Sequence, residues 1–164
     1  MNIAIAGAGF VGVVHAATMS SQDNNVILFD VNAERIQSLI DFCEGRSSKL
    51  HIHEPGLPEL LRRAYEKSFL KFTTNAEAAI NASTVIFSCV GTPPDADGKA
   101  DLKYVESVAH MLGKSLQLNA SYKILVNKST VPVGTAKKVE NIIKGYYSGD
   151  FDVVSNPETL AEGR

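Results

Sequence analysis

The sequence predicts an α/β fold, a doubly wound, parallel, six-stranded sheet with helices on both faces. Three observations predict it. Short apolar, β-branched runs alternate along the chain with longer amphipathic stretches. The runs are apolar almost throughout, as parallel strands are when helices cover both faces. A glycine-rich turn, Gly7-Ala8-Gly9-Phe10-Val11-Gly12, follows the first run directly.

Taken in order, the predicted strands are Ile3–Ala6, Val26–Phe29, Leu70–Phe72, Thr84–Val90, Tyr122–Asn127 and Phe151–Ser155. Between them, helices are predicted over Val11–Ser21, Ala33–Glu44, Leu57–Lys67, Ala76–Asn81, Leu102–Leu118 and Thr135–Tyr147. In the fifth helix Leu102, Val105, Val108, Ala109 and Leu112 draw one apolar stripe suited to packing on a sheet. Residues 45–58 carry prolines, glycines and two histidines, and read as a long loop in the crossover after the second strand. Strand–helix alternation with two mononucleotide halves predicts the strand order 3-2-1-4-5-6.

Composition bounds the function. The 164 residues suit one domain, 1–164, with 45% hydrophobic and 21% charged residues and a formal net charge of −2. So balanced a charge gives no electrostatic case for nucleic acid or an anionic membrane surface. No stretch approaches the ~18 unbroken apolar residues of a membrane span, and with no basic n-region or cleavage site visible, no signal peptide is expected. Cys43 and Cys89 are too few for a disulfide framework, which sets a cytoplasmic expectation. His51 and His53 lack a second ligand pair at zinc spacing, so no metal site is expected.

The glycine turn carries the first chemistry. Gly7 permits the tight turn, Gly9 lets the backbone approach a pyrophosphate, and Gly12 lets the helix pack closely on the strand. The helix start at Phe10 and Val11 then offers unpaired N–H groups to phosphates. Asp30 stands 18 residues after Gly12 at the end of the second strand, placed to accept hydrogen bonds from ribose hydroxyls. These residues make the fingerprint of a Rossmann-type site for NAD. The Asp30 carboxylate would repel the 2′-phosphate of NADP. Arg35 nearby either softens that preference or is a solvated helix charge paired with Asp30.

Three more segments fall at strand carboxyl ends, where open α/β sheets bind ligands. Val90-Gly91-Thr92-Pro93 should border the dinucleotide, or is a plain turn. Lys128–Thr135 brings Ser129 and Thr130 to the crevice, with Thr135 as helix N-cap; a capping loop and a ligand contact fit equally. Asn156-Pro157-Glu158 is a generic helix start. Yet Glu158 and Glu162, four apart, share a helix face, where paired carboxylates suit general-base work. Cys89 reads as a buried core thiol.

Together the motifs G-A-G-F-V-G (7–12), E-P-G-L (54–57), V-G-T-P (90–93), A-D-L-K-Y-V-E (100–106), K-S-T-V-P-V-G-T (128–135) and S-N-P-E-x-L-x-E-G (155–163) resemble the UDP-glucose/GDP-mannose dehydrogenase family, and most of all its UDP-glucose-oxidising members. The resemblance implies oxidation of a nucleotide sugar's C6 alcohol to a carboxylate with two NAD⁺, through a cysteine-bound thiohemiacetal and thioester. It implies that Thr130 organises water near the reacting centre. Glu158 would bind the sugar and manage thioester hydrolysis, and Leu160 would contact substrate through its backbone. Glu162 would contact cofactor or substrate and handle protons. Val11, Asp30, Arg35, Thr92 and Ser129 would line the NAD site. Thr159 stands where the motif usually has Phe.

The resemblance also implies a central helix and a C-terminal nucleotide-binding domain, with the nucleophilic cysteine in a G-x-C-x-x-K-D context. Neither Cys43 nor Cys89 has that context. The chain stops just after a strand and a fresh helix start, which reads as part of something longer. The expectation is an NAD-binding portion that binds cofactor without turning over substrate, its full-length relatives being homo-oligomers. A free-standing NAD-binding regulatory module is the alternative, as is an enzyme acting on GDP-mannose or UDP-N-acetylmannosamine.

Overall fold

A computed structural model of the chain describes residues 1–94, 96 and 98–157. Its elements are β1 (Asn2–Ala6), α1 (Phe10–Ser20), β2 (Asn25–Phe29), α2 (Ala33–Cys43), α3 (Leu57–Glu66), β3 (Leu70–Thr73), α4 (Ala76–Asn81), β4 (Val85–Ser88), α5 (Lys103–Leu118), β5 (Lys123–Asn127), α6 (Thr135–Lys144) and β6 (Phe151–Ser155). All strands pair in parallel, in the order β3-β2-β1-β4-β5-β6. This is the six-stranded Rossmann-type sheet that the sequence predicts.

Side-chain alternation along β1 divides the core. Ile3 and Ile5 pack with Val26 and Leu28 under α1, α2 and α3, where Val13, Leu39 and Leu61 meet them. Ala4 and Ala6 face the other way, with Ile86 and Leu125, under Ile80, Leu112, Val139 and Ile143 of α4, α5 and α6. Because the inner strands β1, β2, β4 and β5 are covered on both faces, their residues are apolar nearly throughout, whereas the edge strand β6 carries Asp152 and buries no residue fully.

Three local predictions are corrected. The fourth strand ends at Ser88 rather than Val90, because the chain leaves the ladder for the crevice loop once Cys89 N–H has bonded to Ala6 O at 2.9 Å. Gly134, not Thr135, is the N-cap of α6: it has φ +92°, a left-handed conformation glycine adopts at little cost, and Thr135 turns its hydroxyl back to donate to Pro132 O at 2.7 Å. That helix ends at Lys144, where Gly145 and Tyr146 turn their amides to the carbonyls three residues back, Ile142 O and Ile143 O, and so tighten the last turn.

Lys123 opens β5 and is only 2% exposed. Its Nζ donates to Ser83 O at 2.6 Å and Ile80 O at 2.9 Å, at the carboxyl end of α4. A cation there satisfies carbonyls that the helix itself leaves unpaired.

Candidate functional site

The register aligns Ala6 with Phe29 and Ser88, Ser88 with Asn127, and Asn127 with Ser155. The carboxyl ends of five strands therefore lie along one line. Above the middle of it, where the chain reverses direction between β1 and β4, opens a crevice of about 770 Å³. That volume is in the usual range of small-molecule and cofactor sites, and the switch point is where such sheets hold them.

One end of the crevice is built by β2. Asp30 Oδ2 accepts from Ala8 N–H at 2.7 Å and Oδ1 from Asn32 N–H at 2.8 Å. The carboxylate is thus fixed in place, and each oxygen keeps a lone pair for a further donor. Asn32 also caps α2, accepting from Arg35 N–H at 3.0 Å. Val31, Asn32 and Arg35 line this end. No ion pair joins Arg35 to Asp30 among the described residues, so the pairing considered from sequence is not seen.

The middle is the glycine turn. Gly7 has φ +103°, and a Cβ there would sit 2.8 Å from Cys89 O. At Gly12 a Cβ would fall 1.9 Å from Gly7 O, so α1 packs on the turn with no room for a side chain. Gly9 differs: a Cβ there would meet nothing within 4 Å. Its open side belongs to the crevice, which Gly7, Gly9, Phe10 and Val11 line while Gly12 does not.

The far end is cross-braced. Ser129 Oγ donates to Val90 O at 2.6 Å, and Thr92 Oγ1 donates to Thr130 O at 3.1 Å. The loops after β4 and β5 are thereby tied together, with Val90, Gly91, Thr92, Pro93, Ser129 and Thr130 all on the wall. Cys89 is 8% exposed, beneath the glycine turn. Cys43 is buried at the end of α2, outside the crevice, and burial pushes its thiol up to about 11. Glu158, Leu160 and Glu162 lie outside the described residues, as does the helix read there.

Sequence reasoning missed one wall and one cation. Tyr104, Ser107, Val108 and Met111 of α5 close the β4 side. Their spacing of three, one and three marks a helix face beside the apolar stripe, a signal present in the sequence. Lys128 is 8% exposed, and its Nζ donates to Asn156 Oδ1 at 2.8 Å, tying the end of β5 to the segment after β6.

Residues 1–164 match the profile described as "UDP-glucose/GDP-mannose dehydrogenase family, NAD binding domain". The chain belongs to this family. UDP-glucose 6-dehydrogenase TuaD of Bacillus subtilis (strain 168) is 42% identical over 165 residues, covering 98% of the chain and 33% of the relative. Among solved structures, a UDP-glucose dehydrogenase of Pyrobaculum islandicum is 39% identical with a TM-score of 0.88, covering 98% of this chain and 36% of that one. A GDP-mannose dehydrogenase of Pseudomonas aeruginosa is 35% identical with a TM-score of 0.89, covering 99% and 37%. The chain spans about a third of the length of these family members. As an NAD-binding domain of the family, it has NAD as its cofactor.

Proposed function

We propose that this chain is the NAD-binding domain of a cytoplasmic dehydrogenase that oxidises the C6 alcohol of UDP-glucose to UDP-glucuronate, and that its crevice takes NAD⁺ rather than NADP⁺. The anchored Asp30 carboxylate, lining the same crevice as the open side of Gly9, carries the cofactor reading. Asp30 would receive the adenosine ribose hydroxyls, with Arg35 alongside. Gly7, Gly9, Phe10, Val11 and Gly12 would place the pyrophosphate at the start of α1, where the dipole favours it. Val90, Gly91, Thr92, Pro93, Ser129 and Thr130 would border the nicotinamide half. Bound there, the cofactor would supply a hydride acceptor.

For the chemistry, Thr130 would hold water near the reacting centre, and Glu158, Leu160 and Glu162 would meet the sugar and manage protons. Neither cysteine has the G-x-C-x-x-K-D context of the family's nucleophile: Cys43 is outside the crevice with a raised pKa, and Cys89, on the crevice lining, is only 8% exposed. These residues alone should therefore bind NAD(H) without turnover, since losing a nucleophile removes a covalent route altogether. UDP-glucose is the substrate proposed, following the UDP-glucose enzymes at 42% and 39%; because another UDP-glucose 6-dehydrogenase is 34% identical, level with the GDP-mannose enzyme at 35%, the choice rests on the substrate assay below. The whole enzyme is expected to be a homo-oligomer.

Two measurements test this. NADH should bind the chain more tightly than NADPH in a fluorescence titration, and NADH formation from UDP-glucose by these residues alone would refute the division of labour. Reading the coding sequence past Arg164 separates the rival class. An open frame with a G-x-C-x-x-K-D segment supports the dehydrogenase, whose product is then assayed with UDP-glucose and GDP-mannose. A stop codon would leave a free-standing NAD-binding module.

A further inference from the structure

The loop between α2 and α3 reaches the glycine turn through one side chain. His51 Nε2 lies 3.0 Å from Ala8 O, 43 residues away in sequence. A carbonyl only accepts, so Nε2 carries the proton and donates. The loop is held in place by Ile52, which is buried in the core under α1 and α3. Ala8 itself is 0% exposed, and its N–H is already bonded to Asp30. Both polar groups of Ala8 are thus fixed from outside the turn, one by a residue on each side of it.

The consequence follows from peptide geometry. The chain has no cis peptide bonds among its described residues, and a planar trans peptide points its C=O and the next N–H in opposite directions. Holding Ala8 C=O towards His51 therefore turns Gly9 N–H the other way. Gly9 lines the crevice, its open side meets no atom, and its amide is at the N-terminus of α1, where helix amides lack partners within the helix. We propose that His51 is a positioning residue for the cofactor: it fixes the Ala8–Gly9 peptide so that Gly9 N–H is presented, ready aligned, to the pyrophosphate. This rests on the reading that the crevice takes the dinucleotide. It assigns a role in cofactor binding to a residue that does not line the crevice. The free turn then has less orientation to lose on binding, which is how preorganisation raises affinity.

The test compares ligands with and without the pyrophosphate. In His51→Ala, the dissociation constants of NADH and ADP-ribose should rise roughly 3- to 10-fold, the span of one ordinary hydrogen bond. Adenosine binding should not change. His51→Gln, whose amide can still donate, should restore most of the affinity. In the unsubstituted chain, the Gly9 ¹⁵N–¹H resonance should move downfield when ADP-ribose is added, which needs no variant to fold. Equal ADP-ribose affinity in the unsubstituted chain and His51→Ala would overturn the inference while leaving the cofactor site intact. So would a loss shared equally by adenosine, or a Gly9 amide unmoved by bound ADP-ribose. An unsubstituted chain that fails to bind ADP-ribose would overturn the cofactor reading itself, and the inference with it.

Discussion

Replacing Asp30 with Ser tests whether one carboxylate sets cofactor choice. In the folded chain both its oxygens accept main-chain N–H groups, at 2.7 and 2.8 Å, and this holds the charge at the edge of the crevice. A 2′-phosphate seated where ribose hydroxyls meet Asp30 would bring like charges to about 4 Å, costing about 4 kcal/mol per charge pair at an effective dielectric constant of about 20. Salt and the nearby Arg35 reduce this, so a penalty of about 3 kcal/mol, on the order of 100-fold, is a reasonable floor. Conversely, NADH donates ribose hydroxyls to an ionised acceptor, worth about 1.5–3 kcal/mol. Asp30→Ser should therefore weaken NADH by roughly 10- to 100-fold and leave NADPH unchanged or improved, moving their ratio by at least about tenfold. Fluorescence titration of both nucleotides, at one stated ionic strength, reads the ratio; thermal unfolding reports whether the loss of the Ala8 and Asn32 acceptors also loosens the fold. Arg35→Ala, by removing the guanidinium that lines this end, should sharpen the preference for NADH. A ratio that moves less than about threefold in Asp30→Ser would refute the electrostatic account, as would NADPH binding the unsubstituted chain as tightly as NADH.

Further outcomes separate folding from binding. Gly9→Ala should melt within a degree or two of the unsubstituted chain, since its Cβ meets nothing within 4 Å, yet bind NADH at least about tenfold more weakly because the methyl occupies the phosphate's approach. Gly12→Ala should instead unfold or melt far lower, its Cβ falling 1.9 Å from Gly7 O. Lys123→Met should cost about 1–3 kcal/mol in denaturant unfolding, through the Ser83 carbonyl left without its donor, while Ile80 O keeps the Ser83 N–H. Burial lowers the Lys123 pKa below its ordinary 10.5, so between the two values the unfolded chain binds more protons. Stability from this group accordingly rises with pH across that window, and the rise should vanish in Lys123→Met. Cys43, with its thiol pushed up to about 11, should resist iodoacetamide at pH near 8 until the chain is unfolded; rapid native labelling would contradict its burial.

Much of this was legible because the signals are local or periodic. Runs such as Val26–Phe29 are apolar on both faces, and a helix-covered parallel sheet is the arrangement that buries both. Asp30 was legible because its distance from Gly12 is set by one helix and one strand. What escaped was long-range and polar. Nothing periodic marks Lys123 as the cap of a helix 40 residues earlier, or ties His51 to Ala8, since both bonds depend on how elements pack. The cap of α6 went to Gly134 because the turn needed positive φ, a demand that outweighed the capping propensity of Thr135.

The crevice also has an order of hydrogen-bonding character that its separate motifs do not reveal. At the β4–β5 end, the hydroxyl protons of Ser129 and Thr92 are committed to Val90 O and Thr130 O, so towards the crevice these two side chains can only accept. At the β2 end Asp30 also only accepts. Between them stand the unpaired amides at the start of α1, which only donate. With Arg35 and Lys128 lining the same crevice as further donors to an anion, this order of acceptors, amide donors and acceptors complements a ligand whose two hydroxyl-bearing ends flank an anionic middle, and ribose–pyrophosphate–ribose is such a ligand. A single nucleotide would satisfy one end and the middle and leave the braced wall unused. The cross-bracing of Ser129 and Thr92 therefore argues for a dinucleotide independently of the glycine fingerprint.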